Sequence, residues 1–161
     1  MKYFVIGIIV LVLIIIICFF SFNKKTQISD IENFSFSYSK GYMANAYIRY
    51  NISCKEKCTA TIKPYGVAEE NAYELDISND VMDEIKSLLI KYDVYKWNGF
   101  NKNDKNVLDG DSFNFYFKKK NVDKIEASGY MMWPKNYADV RNGLDSIFNK
   151  ILEDNDIHTN N

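Results

Sequence analysis

The sequence predicts an α+β protein: an antiparallel sheet, built from a β-meander plus a hairpin, packed against two helices and preceded by one N-terminal transmembrane helix. Three observations predict it. Residues 3–22 form an apolar run without a charged side chain. Alternation of apolar and polar residues marks strands over residues 34–63 and again over residues 113–129. Apolar residues at helical spacing mark two later segments, one from Val81 to Tyr92 and one from Tyr137 to Ile151.

The apolar run holds 20 residues. At about 1.5 Å of rise per residue a helix of that length covers about 30 Å, the hydrocarbon thickness of a bilayer. Ile14 to Ile17 sit at its centre; in lipid the need to satisfy backbone groups internally overrides their reluctance to be helical. A cleaved secretory signal has a shorter apolar core and small residues before its cut, whereas here Ser21 is the only small polar residue near the end. Lipidation at Cys18 would want a small residue before it, and Ile17 stands there. An uncleaved anchor is the expectation. Lys2 and the amino group balance Lys24 and Lys25 across the span, so charge does not fix the orientation. The short start favours an N-terminus in the cytoplasm and the domain outside.

The expected domains are residues 1–22 as anchor, 23–33 as a polar tether, 34–152 as an α+β domain and 153–161 as a frayed polar tail. In the first hairpin Phe34, Phe36 and Tyr38 alternate with serines, and Ser39-Lys40-Gly41 reads as the turn. Tyr38 would pair with Tyr42, Phe36 with Ala44 and Phe34 with Ala46. The next turn is Lys55-Glu56-Lys57. It sets Cys54 opposite Cys58, Ile52 opposite Ala60 and Tyr50 opposite Ile62. The outer face then pairs Ser53 with Thr59, Asn51 with Thr61 and Arg49 with Lys63, so both faces agree on one register. Tyr73, Leu75 and Ile77 outline a further short strand.

The first helix takes an N-cap from Ser78, Asn79 or Asp80 and buries Val81, Ile85, Leu88, Leu89 and Tyr92. Early Asp80, Asp83 and Glu84 and late Lys91 suit its dipole. Residues 101–106 read as a polar loop. A hairpin centred on Asn121 pairs Phe117 with Ile125, Phe115 with Ala127 and Phe113 with Gly129. The last helix follows Trp133-Pro134, with Asn136 and Asp139 as a capping-box-like pair. Its stripe is Tyr137, Val140, Leu144, Ile147, Phe148 and Ile151. Gly143 interrupts it for no reason visible in the sequence, at about 1 kcal/mol relative to Ala.

Composition narrows function by exclusion. The chain has 161 residues, 47% hydrophobic and 16% aromatic, with a formal net charge of −1. Such near-neutrality gives no support for a nucleic-acid partner. The chain contains no G-x-S-x-G elbow, P-loop or dinucleotide fingerprint. Its one His, His158, sits four residues from the end, a poor place for a triad member. No cofactor is expected.

Four groups of residues carry chemistry worth weighing. Cys54 and Cys58 face each other across a tight turn; a structural disulfide and two free thiols both fit, and a redox pair has only Lys55 and Lys57 to lower a thiol pKa. Asp104, Asp109 and Asp111 are oxygen ligands of the kind calcium takes, but their spacing departs from an EF-hand loop, and Asp109-Gly110 reads more simply as a turn. Lys118-Lys119-Lys120 reads as a solvated turn. Trp97, Phe100, Tyr130, Trp133 and Tyr137 cluster near the ends of the second hairpin and the helices. They either close the edge of the core or, where exposed, offer rigid contact area to a glycan or a partner protein.

Trp97-Asn98-Gly99-Phe100, Asp109-Gly110-Asp111-Ser112-Phe113 and the stretch from Gly129 to Tyr137 resemble the C-terminal part of small, uncharacterised bacterial membrane-anchored or lipoprotein-like α+β domains. The resemblance covers about residues 97–148 and implies no established activity. The functional expectation is a single-pass envelope protein whose soluble domain binds or scaffolds. Its partners would be the lipid bilayer, through residues 3–22, and an envelope protein or polymer. The alternatives are a carboxylate-dependent envelope hydrolase, which needs two acids about 5–10 Å apart in a cleft, and a cytoplasm-facing regulator if the topology is reversed.

Overall fold

The computed structural model describes residues 31–39, 46–119 and 124–159. The expected bilayer span, Cys18, most of the tether, and the turns at Lys40-Gly41 and Asn121 lie outside the described residues. Among the described residues no helix is long and apolar enough to cross a membrane.

The strands are β1 (Ile31–Ser39), β2 (Tyr47–Cys54), β3 (Cys58–Lys63), β4 (Tyr73–Ile77), β5 (Phe100–Asn103), β6 (Ser112–Lys119) and β7 (Lys124–Tyr130). Helix α1 (Asn79–Lys91) lies between β4 and β5, and α2 (Tyr137–Glu153) closes the fold. All strands join one seven-stranded sheet in the order β4-β3-β2-β1-β6-β7-β5. The meander and the hairpin meet where β1 pairs antiparallel with β6.

The sheet is mixed, which corrects the purely antiparallel expectation. β5 runs parallel to β7, with Phe100 beside Ala127 and Asn103 beside Tyr130. Its sequence, Phe-Asn-Lys-Asn, holds one apolar residue, so it carries no alternation to read. Backbone pairing to β7, at the edge of the sheet, makes it a strand. β1 starts at Ile31, inside the segment expected to be tether, and Ile31 is buried in the core.

The β2–β3 register places Cys54 against Cys58, Ile52 against Ala60, Tyr50 against Ile62 and Arg49 against Lys63. The β6–β7 register places Phe117 against Ile125, Phe115 against Ala127 and Phe113 against Gly129. Both agree with the sequence reading. The β1–β2 register does not: Tyr38 pairs with Ile48, Phe36 with Tyr50 and Phe34 with Ile52. The partners of β1 lie six residues further along than expected, Ile48 replacing Tyr42. An even displacement leaves every side chain on the same face, so alternation alone cannot choose between the two pairings. The observed one sets Tyr50 and Ile52, in place of Ala44 and Ala46, across from Phe36 and Phe34.

One face of the sheet is the core and the other is polar. Phe34, Phe36, Tyr50, Ile52, Ala60, Ile62, Phe113, Phe115 and Phe117 are buried against the helices. Burial of each such large side chain contributes about 1.5–3 kcal/mol. Phe148 of α2 stacks on Tyr50, rings 4.2 Å apart and 5° from parallel. It also lies 6.4 Å from Phe34. Ser78 caps α1 by accepting from the Val81 N–H at 3.4 Å. Within α1 the buried residues are Met82, Ile85 and Leu89, so the stripe is turned slightly from the expected one.

Gly143 has its reason in the helix pair. A Cβ there would stand 2.5 Å from Leu88 Cδ1 of α1. The two helices approach through the space that only glycine leaves. Asn136 precedes α2 with φ of 64° and makes no side-chain cap. Its amide donates to the Tyr92 carbonyl at 3.2 Å instead, tying the start of α2 to the end of α1. This replaces the capping box expected with Asp139.

The C-terminal end of α2 also departs from expectation. The Ile157 N–H donates to the Leu152 carbonyl at 2.9 Å, and the Asp156 N–H to the Glu153 carbonyl at 3.0 Å. Asp156 has φ of 58°. These are the bonds of a Schellman motif, with Ile157 folded back onto the core. The segment expected to fray is thus held by its own backbone as far as Ile157.

Candidate functional site

Two aromatic constellations lie side by side on the core side of the sheet, one centred on β6 and the other on β1 and β2, and they meet where Tyr38 pairs with Phe113. The first gathers most of the residues singled out from the sequence. Trp97, in the short turn before β5, is 2% exposed, and its indole N–H donates to the Lys135 carbonyl at 3.0 Å. Its ring meets Phe113 and Phe115 edge-on. Tyr137 is buried, 4.8 Å from the Phe113 ring, and stacks under Trp133 at 4.6 Å and 20°. Phe100 lies 6.1 Å from Phe113. Phe113 is the hub of the group.

Tyr130 is held differently: its hydroxyl donates to the Leu108 carbonyl at 2.7 Å and fixes the loop before β6. Of the five, Trp133 alone is well exposed, at 39%. Beside it Met131 and Met132 are exposed to a similar degree, and Met131 holds a left-handed φ of 54°. The chain bends sharply here over Gly129, where a Cβ would meet the Met132 carbonyl oxygen at 2.1 Å. Trp97, Phe100 and Tyr137 therefore close the core, and the exposed part of this edge is Trp133 with the two methionines.

Cys54 and Cys58 form a disulfide with S–S 2.04 Å and Cα–Cα 4.1 Å, joining the ends of β2 and β3. Asp104 caps its own turn, accepting from the Asn106 N–H at 3.0 Å. The structure does not gather Asp104, Asp109 and Asp111 into one metal-binding group; among the described residues no three His, Cys, Asp or Glu side chains converge. Lys118 pairs with Glu32 at 3.1 Å rather than standing free in a turn. On the polar side, the buried Lys63 donates to the Tyr47 carbonyl at 2.8 Å and lies 3.8 Å from the Tyr47 ring. Burial pushes its ammonium pKa down. The Tyr47 hydroxyl and Arg49 both donate to Glu69, which braces the 64–72 segment against β2.

The second constellation is built from Tyr38 of β1, Tyr50 of β2 and Asp145 of α2. Tyr38 donates its hydroxyl to Asp145 Oδ2 at 2.8 Å, and Tyr50 donates to Oδ1 at 2.8 Å. The strands supply the two phenols from one face, because Tyr38 and Tyr50 are both inward positions on adjacent strands. The helix supplies the carboxylate from above. Burial, reinforced by the Asp145 charge, raises both phenol pKa values far above the ordinary value. The phenols are fixed donors and the carboxylate is a fixed acceptor.

Beside this triad lies a cavity of about 440 Å³. Ile48, Ile62, Pro64, Tyr65 and Leu152 form its apolar walls, and Asp145 and Asn149, one helical turn apart on α2, add polar residues to the lining. Its volume and mixture fit the usual small-molecule site: mostly apolar, with a few convergent polar groups. Asp145 is the single carboxylate in its lining, so the two-acid arrangement of a glycosidase is not offered there.

The chain matches no known family model, and comparison with curated proteins found no match. Function must be argued from geometry. Tyr38 and Tyr50 were read from the sequence only as core aromatics, while Asp145 and Asn149 were not singled out. The one available signal was their spacing, i and i+4 on α2, beside the apolar stripe that carries Leu144, Phe148 and Leu152.

Proposed function

We propose that this chain is a membrane-anchored binding module that takes a small ligand in the cavity beside Tyr38, Tyr50 and Asp145. The cavity carries the reading: a pre-formed apolar space with a hydrogen-bonded carboxylate at its rim. Charge in the sequence supports the anchor, since residues 3–22 hold none and are long enough to span a bilayer. The domain would then meet its ligand at the membrane surface, on the outer side if the N-terminus stays in the cytoplasm.

The test uses the full chain in lipid nanodiscs. A panel of small apolar amines, alcohols and acids is screened by ligand-observed NMR against the wild type and against Asn149→Trp, which fills the cavity from α2. At least one probe should bind the wild type and lose that binding in the variant. Equal signals from both proteins for every probe would overturn the reading. Membrane anchoring is tested separately. Carbonate washing should leave the chain in the membrane fraction, deletion of residues 3–22 should release it, and a reporter active only outside the cytoplasm should work when fused after Asn161.

A second reading rests on the exposed Met131, Met132 and Trp133. Met side chains adapt to varied apolar surfaces, and Trp is a strong interface anchor. A partner protein or envelope polymer docking on this edge should quench or shift Trp133 fluorescence, and Trp133→Ala should abolish that change. Pull-down from envelope extract that Trp133→Ala leaves unaltered would count against it.

A further inference from the structure

The cavity's chemistry specifies the charge of its occupant, an inference that rests on the binding reading above. Asp145 uses each carboxylate oxygen once, for Tyr50 and for Tyr38, which leaves a lone pair on each oxygen. Both phenols donate and neither brings positive charge. Among the described residues no cation forms an ion pair with Asp145. Arg141, one helical turn earlier, lies 5.5 Å over the Tyr38 ring and donates to Asn142 at 3.1 Å. The Arg141 charge is felt at the Tyr38 hydroxyl, but its guanidinium makes no ion pair with the carboxylate, so the negative charge at the rim is hydrogen-bonded without a direct counter-ion among the described residues.

An anionic ligand would meet that charge at close range in a partly desolvated space, where repulsion is strong. A neutral ligand would gain the apolar walls and, through a hydroxyl, one hydrogen bond to the carboxylate, but not the attraction between opposite charges. A divalent metal would find one carboxylate where it needs several oxygen ligands. A cation with an apolar body uses both halves of the site. We propose that the cavity takes an organic ammonium: the charged head on Asp145, within reach of Asn149, and the apolar body against Ile48, Ile62, Pro64 and Leu152.

The probes are three six-carbon compounds that differ in the head: hexylammonium, 1-hexanol and hexanoate. Each is titrated into the full chain in nanodiscs at neutral pH, with Asn149→Trp in identical nanodiscs as the baseline for lipid partitioning. Hexylammonium should bind about tenfold or more tighter than hexanol, because its hydrogen bond to the carboxylate also carries a charge–charge attraction, and hexanoate should be weakest. Asp145→Asn should erase that preference and keep hexanol binding. Asn149→Asp, which adds a second carboxylate beside the first, should tighten hexylammonium and weaken hexanoate; it decides the matter if Asp145→Asn does not fold. Hexanol or hexanoate binding as tightly as hexylammonium would overturn the charge inference while leaving the cavity reading intact. Binding of no probe above baseline would overturn both.

Discussion

The two aromatic constellations use the same residue types to opposite ends. Around Phe113 the rings stack on one another, and the buried indole N–H of Trp97 finds a backbone carbonyl. The rings there serve as packing. Around Asp145 the rings of Tyr38 and Tyr50 pack equally well, but their hydroxyls converge on one carboxylate beside a cavity. Aromatic density is thus a poor guide to function in this fold. Where the polar heads go, and whether space lies beyond them, separates a core edge from a candidate binding site.

Substitutions should break the two groups differently. The largest loss should come from Trp97→Ala, about 3–5 kcal/mol of unfolding free energy, because it removes a fully packed ring between Phe113 and Phe115. Denaturant titration would read it, and hexylammonium affinity of the protein that remains folded should be unchanged. Asp145→Ala should cost less, about 1–3 kcal/mol, from two phenols that lose their acceptor beside a cavity water can reach. Unlike Trp97→Ala, it should also remove the cation preference.

Alkaline pH sharpens the contrast further. In the folded chain the phenols of Tyr38 and Tyr50 resist ionisation through burial and the nearby Asp145 charge, while Tyr137 is raised chiefly by burial. In the unfolded chain all three ionise near the ordinary value of about 10. Their contribution is fully present below that pH and is lost as pH rises above it, since only the unfolded state then gains ionised phenol. Stability should fall above about pH 10, and the Tyr38→Phe/Tyr50→Phe double variant should flatten the fall more than Tyr137→Phe. The smallest effect should be that of Trp133→Ala, under about 1 kcal/mol, because the ring is half-exposed at the margin of its cluster. A loss as large as that of Trp97→Ala would make Trp133 a core residue and end its candidacy as a partner surface.

What could be read in advance follows from which interactions are local. The β2–β3 and β6–β7 registers were legible because each turn is short and both faces of the hairpin constrain the same pairing. The β1–β2 pairing was misplaced because alternation persists through residues 42–54, so an even slip costs the pattern nothing. β5 was missed because it is held by backbone bonds to β7 and not by an apolar face. The aromatic edge was legible as a cluster, since Trp97, Trp133 and Tyr137 stand beside element ends. The Asp145 site was not. Its members come from residues 38, 50 and 145, and only the docking of α2 on the sheet brings them together. Gly143 belongs to the same class: the close approach of Leu88 that explains it is tertiary.

The most direct measurement follows amide and indole signals of the ¹⁵N-labelled full chain as hexylammonium is added. The sequence holds two tryptophans, so two indole signals report the Phe113 cluster, while the Asn149 side-chain amide reports the cavity. The account predicts saturable movement of the Asn149 signal with both indole signals still. Movement of the indole signals with Asn149 unmoved would contradict it, and would place binding at the aromatic edge instead.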